Sequence, residues 1–188
     1  HYKDYFPQWI AAEKLEKDDF LIYPRLKKIK NIEKIKLSDY IELPKKNIRK
    51  KIKNKISVDR NFCRLIGYYL SEGYVIGDEA IGFSFNKKEL NYIQETKSLM
   101  EKALGVTFTK IDSRKGADII FYSHTLNNLF KKLCYSGEEK KSWNKCVPEF
   151  MMYLPKVKLQ EVLRGWWRGD KGYTVSHYLS SQLKLICL

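Results

Sequence analysis

The sequence lacks three features that would assign it to a common class of protein. Its four cysteines, at positions 63, 134, 146 and 187, form no CxxC pair, which argues against a zinc site and against a disulfide framework. No apolar run approaches the ~20 residues needed to cross a bilayer, and no signal-peptide pattern opens the chain. We therefore expect an intracellular, cytoplasmic protein that makes no contact with a membrane.

Positive charge is what the sequence has in excess. The 188 residues contain 36 Lys+Arg and 22 Asp+Glu, a net charge of +14. The segment from Arg25 to Lys55 holds thirteen Lys/Arg and three Asp/Glu, so these 31 residues carry +10 and the other 157 carry +4. Such a block favours a polyanionic partner, most simply nucleic acid, although a codon bias towards lysine is an alternative. Like-charge repulsion predicts that residues 25–58 form a basic linker or arm outside the core.

Hydrophobic periodicity predicts an α+β domain over residues 59–150, in the order helix, two strands, helix, two strands, helix. Asp59 is a suitable cap for the first helix, which Gly73 ends, and Ser123 is a suitable cap for the third. The second helix is predicted from Lys87 to Leu104, with Leu90 on its buried side. The predicted hairpins join Tyr74–Ile76 to Ala80–Phe85 and Val106–Asp112 to Ala117–Tyr122.

The two ends of the chain are predicted to contain strands. Residues 1–24 are interpreted as a strand-rich piece that ends in the apolar strand Phe20–Tyr23 before Pro24. A helix from about Leu159 to Asp170 is predicted to bury Trp166 and Trp167, and the Tyr68-Tyr69 pair is likewise predicted to be core. Residues 173–176 and 182–188 are predicted to begin a further hairpin.

An internal repeat gives the most specific signal. Leu65-Ile-Gly67-Tyr-Tyr-Leu-Ser-Glu72 aligns with Leu163-Arg-Gly165-Trp-Trp-Arg-Gly-Asp170 at an offset of 98 residues. A glycine in mid-helix costs about 1 kcal/mol relative to alanine, so a helix retains one where another backbone approaches closely. We therefore predict that the two helices pack against each other at Gly67 and Gly165.

The acid that ends each repeat indicates a metal site. A carboxylate at a helix C-terminus is disfavoured by the helix dipole, and two brought together also repel each other. A divalent cation removes both penalties and takes oxygen ligands. Glu72 and Asp170, with substrate phosphates, would then make a site for phosphodiester hydrolysis. The alternative is that each acid simply points into solvent at a helix end.

The two repeated segments resemble the paired dodecapeptide motifs of the LAGLIDADG (DOD-type) homing endonucleases. The resemblance implies an αββαββα repeat with a saddle-shaped antiparallel sheet. It also implies site-specific cleavage of double-stranded DNA with Mg²⁺ (or Mn²⁺) bound by Glu72 and Asp170. Lys145-Cys-Val-Pro148 resembles the block that carries an active-site lysine in these enzymes, which adds Lys145 to the catalytic residues. Trp9-x-x-Ala12-x-x-Leu15 followed by Asp19-Phe-Leu resembles the end of an intein splicing domain, which implies the intein-encoded branch.

In that family the strands form a saddle over the DNA major groove, which admits a two-stranded ribbon. The residues implied to contact DNA from the strands and their turns are Ser84, Asn86, Lys110, Arg114 and Lys115. The alternative is that each of these five is an ordinary polar residue that faces solvent on a strand. In the basic arm, Lys50, Lys51 and Lys53 are predicted to bind phosphates, which raises affinity without reading sequence.

The sequence departs from the family pattern near its end. Lys171 stands where the first motif has Gly73, and about eighteen residues follow Asp170, so we expect a truncated second repeat, without its lysine. A C-terminal half or a second polypeptide would complete it. The predicted division is a splicing-domain-like remnant (1–24), the arm (25–58), a first repeat (59–150) and the start of a second (151–188). No splicing residues are visible, and we expect no splicing.

The sequence is also compatible with two functions of other classes. One is an inactive remnant of the same fold that binds DNA or RNA as a maturase-like splicing cofactor or a regulator. The other is a purely structural protein, which would show no salt-dependent binding to DNA.

Overall fold

The fold is described from a computed structural model that covers residues 6–22, 26, 28–42, 52, 54–108, 110–112 and 116–187, with only the backbone of 110–112. It is an α+β structure, as predicted. The helices are α1 (Arg60–Glu72), α2 (Leu90–Leu104), α3 (His124–Leu133), α4 (Lys156–Asp170) and α5 (His177–Cys187). The strands are β1 (Lys34–Lys36), β2 (Lys55–Ser57), β3 (Gly73–Ile76), β4 (Ala80–Phe85), β5 (Lys110–Asp112) and β6 (Ala117–Tyr122).

The helix–hairpin–helix–hairpin–helix order from α1 to α3 is confirmed. Asp59 caps α1 by accepting a hydrogen bond from the Phe62 N–H at 2.9 Å, and Ser123 caps α3 by accepting one from the Leu126 N–H at 3.3 Å. Gly105 ends α2 with a φ of 69°, a left-handed conformation that glycine adopts without strain. The second hairpin is shorter than predicted, because β5 begins at Lys110 and not at Val106.

The two hairpins join in one antiparallel sheet with the strand order β3-β4-β6-β5. Successive side chains of a strand point to opposite faces, so the register separates a core face from an outer face. Phe83 pairs with Ile119 on the core face, and the Phe83 ring meets the Tyr69 ring of α1 edge-on at 5.7 Å. Ser84 pairs with Asp118 on the outer face and is exposed. The helices therefore cover one face of the sheet.

Part of the basic block belongs to the core, and the prediction that it lies outside is wrong there. Two short stretches of it pair as the antiparallel strands β1 and β2, with Ile35 opposite Ile56. Both isoleucines and Leu37 are buried, while the lysines beside them in each strand are exposed. The alternation of apolar and basic residues thus lets this segment bury one face and keep its charge in solvent.

The strands predicted at the two ends of the chain are wrong for the residues that the structure describes. No residue from 6 to 22 is buried, and within these residues the chain forms one short 3-10 helix, Ala12–Lys14, and no strand at Phe20–Ile22. Tyr23 and Pro24 lie outside the described residues.

At the C-terminal end of the chain, the helix α5 replaces the predicted hairpin. The Ser176 hydroxyl accepts a hydrogen bond from the Leu179 N–H at 3.1 Å and so caps α5, and Leu179 and Leu183 are buried one turn apart.

Two side chains predicted to be buried are exposed. Leu90, the first residue of α2, is 64% exposed, and Trp167 on α4 is 60% exposed, whereas Trp166 is 7% exposed. Within the described part of the chain, no helix has the length and apolar character needed to cross a membrane.

Candidate functional site

The site is built where α1 crosses α4 at the two predicted glycines. A Cβ atom on Gly67 would lie 2.2 Å from the Val162 carbonyl oxygen, and one on Gly165 would lie 2.3 Å from the Arg64 carbonyl oxygen. Real Cβ atoms do not approach backbone this closely, so only glycine fits at either position. The close packing predicted from the repeat is therefore confirmed, and it fixes how the ends of the two helices meet.

Glu72 and Asp170 are the last residues of the two crossing helices. They end on the same side of the crossing, since a Cβ on Gly169 would lie 2.3 Å from the Oε1 of Glu72. Burial, and to a lesser degree the negative charge of Asp170, raise the pKa of Glu72 to about 7. Burial also raises the pKa of Asp170. The two carboxyl groups thus form a close, partly buried pair in which each ionised group disfavours the other.

Lys145 reaches the same place from the segment before α4. An antiparallel bridge to Tyr135 holds its backbone, and its side chain is buried. The Nζ donates hydrogen bonds to the carbonyl oxygens of Tyr69 and Ser71, each at 3.1 Å. These carbonyls belong to the last turn of α1, so Lys145 caps that helix and complements its dipole.

The Lys145 ammonium also interacts with both acids. Burial lowers the pKa of Lys145 to about 8, and the Asp170 and Glu72 carboxylates oppose that fall. An ammonium group has three N–H donors, of which two are used on the helix carbonyls. One donor is therefore left for a group bound beside the carboxylates.

A cleft of about 410 Å³ opens beside these residues. Asp170 and Lys145 line it together with Ser71, Ser142 and Tyr173. The cleft is large enough to admit several waters or a phosphate group beside the carboxylates.

Trp166 lies one turn before Asp170 on α4. Burial raises the pKa of Asp170, and the charge of Lys145 and then the Trp166 indole N–H oppose that rise. The indole nitrogen is itself fully buried and makes no hydrogen bond of normal geometry within the part of the chain that the structure describes. Sequence reasoning assigned Trp166 to the core and missed its polar atom.

An ion-pair cluster that the sequence did not predict ties α2 to the crossing. Arg64 of α1 pairs with Glu95 of α2 at 2.7 Å and donates from Nε to the buried Glu161 of α4 at 2.6 Å. Glu95 also accepts from the Tyr68 hydroxyl at 2.6 Å and pairs with Arg168. The residues of this cluster come from three helices that are far apart in sequence and follow no motif, so no sequence pattern could have identified them. Arg168 is two residues from Asp170, so the cluster holds the end of α4.

Glu72 and Asp170 offer oxygen ligands of the kind that a divalent cation takes. Carboxylate oxygens are the ligands that Mg²⁺ and Mn²⁺ accept, and Mg²⁺ commonly takes only one or two of them with water and phosphate. In the residues described, no group of three or more His, Cys, Asp or Glu side chains could hold a metal ion. A cation at this site would therefore need substrate or water oxygens to complete its coordination.

The predicted DNA-binding residues are only partly described. Ser84 is on the outer face of the sheet, and Asn86 follows β4, is exposed and accepts a hydrogen bond from the Lys88 N–H at 3.0 Å. Lys110 is in β5, opposite Ile120 in the register. Arg114, Lys115, Lys50, Lys51 and Lys53 lie outside the described residues.

The outer face is also less polar than predicted. A Cβ on Gly82 would lie 2.4 Å from the Cζ of Tyr74, so the Tyr74 ring lies over this glycine on the sheet. Ile120, between Gly82 and Lys110 in the register, is buried. The middle of this face is therefore apolar.

Comparison with known proteins finds no matching protein-family model. The chain is 40% identical over 191 residues to an uncharacterized protein of Methanocaldococcus jannaschii, and the match covers 100% of this chain and 24% of that protein. It is 27% identical over 175 residues to an iron-sulfur cluster assembly SufBD family protein of Mycobacterium tuberculosis, covering 89% of this chain and 17% of the relative. A DNA polymerase of Thermococcus kodakarensis is 30% identical to the chain over 143 residues, and this match covers 70% of the chain and 8% of the polymerase. The chain thus spans about a quarter or less of the length of these relatives.

Proposed function

We propose that the chain is the endonuclease segment of a LAGLIDADG homing endonuclease of the intein-encoded branch. Its activity is the site-specific hydrolysis of phosphodiester bonds in double-stranded DNA with Mg²⁺ or Mn²⁺. The observation that carries the proposal is the glycine-mediated crossing of α1 and α4, which brings Glu72 and Asp170 together beside Lys145. Two partly buried carboxylates with a cation beside a cleft suit hydrolysis of a phosphate ester.

Each of the three residues has a distinct task in this proposal. Glu72 and Asp170 would hold the divalent cation. When bound, the cation supplies charge neutralisation at the phosphate and a more acidic water. The remaining N–H of Lys145 donates to a phosphate oxygen, and its positive charge stabilises the charge that develops there. Because Lys145 is fixed on two helix carbonyls, its Nζ needs no rearrangement to do so.

The sheet supplies the contact with DNA. The α1 helix runs directly into β3, so the carboxylate of Glu72 stands at the start of the sheet. An antiparallel ribbon fits the major groove, where Ser84, Asn86 and Lys110 would reach base edges or phosphates. The basic segment adds phosphate contacts that depend on salt concentration. A second polypeptide or further chain would provide the other half of the DNA-binding surface.

The relatives support insertion into host proteins. A segment of similar sequence is a small part of an iron-sulfur cluster assembly SufBD family protein and of a DNA polymerase, two proteins whose names share nothing. A mobile coding segment inserted into unrelated host genes would produce this distribution. This supports the intein-associated part of the proposal.

A cleavage assay on a library of randomised DNA duplexes tests the proposal. With Mg²⁺, the wild-type chain should cut or nick a restricted set of sequences, and Glu72→Gln should bind the same sequences without cutting them. Binding by the wild-type chain without metal-dependent nicking would defeat the nuclease proposal for this chain.

DNA or RNA binding without cleavage is a second candidate function. The small number of metal ligands favours it, since within the described residues no third acid, histidine or cysteine joins the carboxylate pair. The two functions differ in the library assay, because a binding protein would select sequences and leave every strand intact with either Mg²⁺ or Mn²⁺.

A further inference from the structure

The indole nitrogen of Trp166 is a buried donor that makes no hydrogen bond of normal geometry among the residues that the structure describes, although its N–H already interacts with the Asp170 carboxyl. The Trp166 side chain is 93% buried, since its exposed fraction is 7%. Buried polar atoms in folded proteins nearly always have a partner, so each exception requires a reason. The reason here would be an acceptor that moves into hydrogen-bonding position when the site is occupied.

Asp170 is the acceptor within reach. Residues four apart on a helix are neighbours on one face, and Trp166 and Asp170 have this spacing on α4. The Asp170 carboxyl is partly buried and lines the cleft. The Lys145 Nζ, the other donor near it, already gives two hydrogen bonds to helix carbonyls.

The position of Trp166 is fixed by the helix crossing. Its backbone nitrogen would lie 2.9 Å from a Cβ on Gly67, which shows how closely this residue abuts α1. Its ring also meets the ring of Trp167 edge-on at 6.2 Å. Trp166 therefore cannot move away from Asp170 without disturbing the contact between α1 and α4.

We propose that Trp166 is a positioning residue, whose indole N–H donates to the Asp170 carboxylate and orients it towards the divalent cation. This inference rests on the proposed function, because it assigns a role at the same cation site. Hydrogen bonds to a ligating carboxylate fix its orientation, and their loss typically weakens metal affinity by about 10–100-fold. Trp166 does not touch substrate in this role.

The test is a calorimetric titration with Mn²⁺ of the wild-type chain, Trp166→Phe and the control Trp167→Phe. Phenylalanine keeps an aromatic ring and removes the N–H. Trp166→Phe should bind Mn²⁺ about 10–100-fold more weakly. Trp167→Phe should bind like the wild type, because Trp167 is 60% exposed. Equal affinity of all three proteins would overturn the inference and leave the proposed function intact, whereas no Mn²⁺ binding by the wild type would overturn both.

A measurement on the wild-type chain keeps the inference testable if Trp166→Phe does not fold. The four tryptophans give four indole N–H resonances in a nitrogen–proton NMR spectrum, which single Trp→Phe changes at the other three positions assign. On titration with Mg²⁺, the Trp166 proton should move downfield as its hydrogen bond forms, and the other three should stay in place. A cation that binds without moving the Trp166 resonance would contradict the inference.

Discussion

Gly67 and Gly165 face each other so closely that a Cβ on either would lie 2.9 Å from the Cα of the other. Backbone atoms surround both positions, so no flexible side chain can yield to a larger residue. The crossing of α1 and α4 therefore depends on both glycines, and the geometry of the carboxylate pair at the helix ends depends on the crossing.

Gly67→Ala should destabilise the chain. Overpacking a tight contact costs about 1–3 kcal/mol, and a contact made by backbone is at the upper end of that range. The higher helix propensity of alanine offsets only about 1 kcal/mol. The free energy of unfolding from urea titration should fall by about 2 kcal/mol. Gln160→Ala, on the exposed side of α4, is the control and should change it by no more than about 0.5 kcal/mol. A stable Gly67→Ala protein would show that the helices are not in contact.

Lys145→Met should destabilise the chain by removing the cap of α1. The Ser71 carbonyl oxygen would lose the Lys145 donor, and the Tyr69 carbonyl oxygen would keep only its bond from the Gly73 N–H. Leaving an acceptor unsatisfied costs about 1–3 kcal/mol, and methionine replaces the aliphatic stem. Thermal unfolding at pH 7 measures the loss. Lys141→Met changes the same residue type at an exposed position and should have little effect. If both variants melt alike, Lys145 does not cap the helix.

Glu72→Gln should change how stability depends on pH in the absence of divalent cations. The folded chain keeps a proton on Glu72 up to about pH 7, whereas the unfolded chain releases it near the ordinary value of 4.5. The unfolded state therefore binds fewer protons between these values, and the wild-type free energy of unfolding falls as the pH rises through them. Glutamine does not titrate.

The difference in unfolding free energy between Glu72→Gln and the wild type should therefore grow between pH 4.5 and 7. After allowance for solvent screening of this partly exposed group, we expect about 1–2 kcal/mol in favour of the variant at pH 7.5. Urea titrations at several pH values measure it. Parallel stability curves for the two proteins would show that Glu72 titrates normally in the folded chain.

Glu95→Gln should loosen the ion-pair cluster at the crossing. Burial acts to raise the pKa of Glu95, but hydrogen bonds from Tyr68 and Arg64 outweigh it and keep the carboxyl ionised. Removing Glu95 leaves the Arg168 guanidinium without its acid and leaves Arg64 paired with Glu161 alone, and partial exposure limits the cost to about 2 kcal/mol. Thermal unfolding should show this loss for Glu95→Gln and none for Glu101→Gln, which is exposed on the same helix. Equal melting temperatures of Glu95→Gln and Glu101→Gln would show that the ion-pair cluster does not stabilise the fold.

The parts of the fold that follow local rules could be predicted from the sequence. Asp59 and Ser123 were identified as caps because a cap acts within three residues, and Gly67 and Gly165 because the repeat aligns them. The ion pairs of Arg64 with Glu95 and Glu161 could not be predicted, since they span 31 and 97 residues and depend on tertiary packing. The helix α5 was mistaken for strands because a short apolar run satisfies both periods, and the cap at Ser176 decides between them.

The exposure of Trp167 shows a further limit of sequence patterns. Trp166 and Trp167 are neighbours on α4, and the apolar pattern assigns both to the buried face. A helix turns by about 100° per residue, so two adjacent residues cannot both face α1 fully. Trp166 is the one that is buried, because Gly165 and the Trp166 backbone nitrogen, and not Trp167, lie against Gly67 at the crossing.

Cleavage of a selected DNA duplex by Glu72→Gln, Asp170→Asn and the double variant tests whether the two carboxylates form one catalytic cation site. If the two carboxylates act as one cation site, each single variant should lose Mg²⁺-dependent cleavage by at least about 100-fold, and the double variant should lose little more, since residues that act as a unit are not additive. All three should still bind the duplex in the absence of metal. Wild-type cleavage rates in Glu72→Gln or Asp170→Asn would contradict the account.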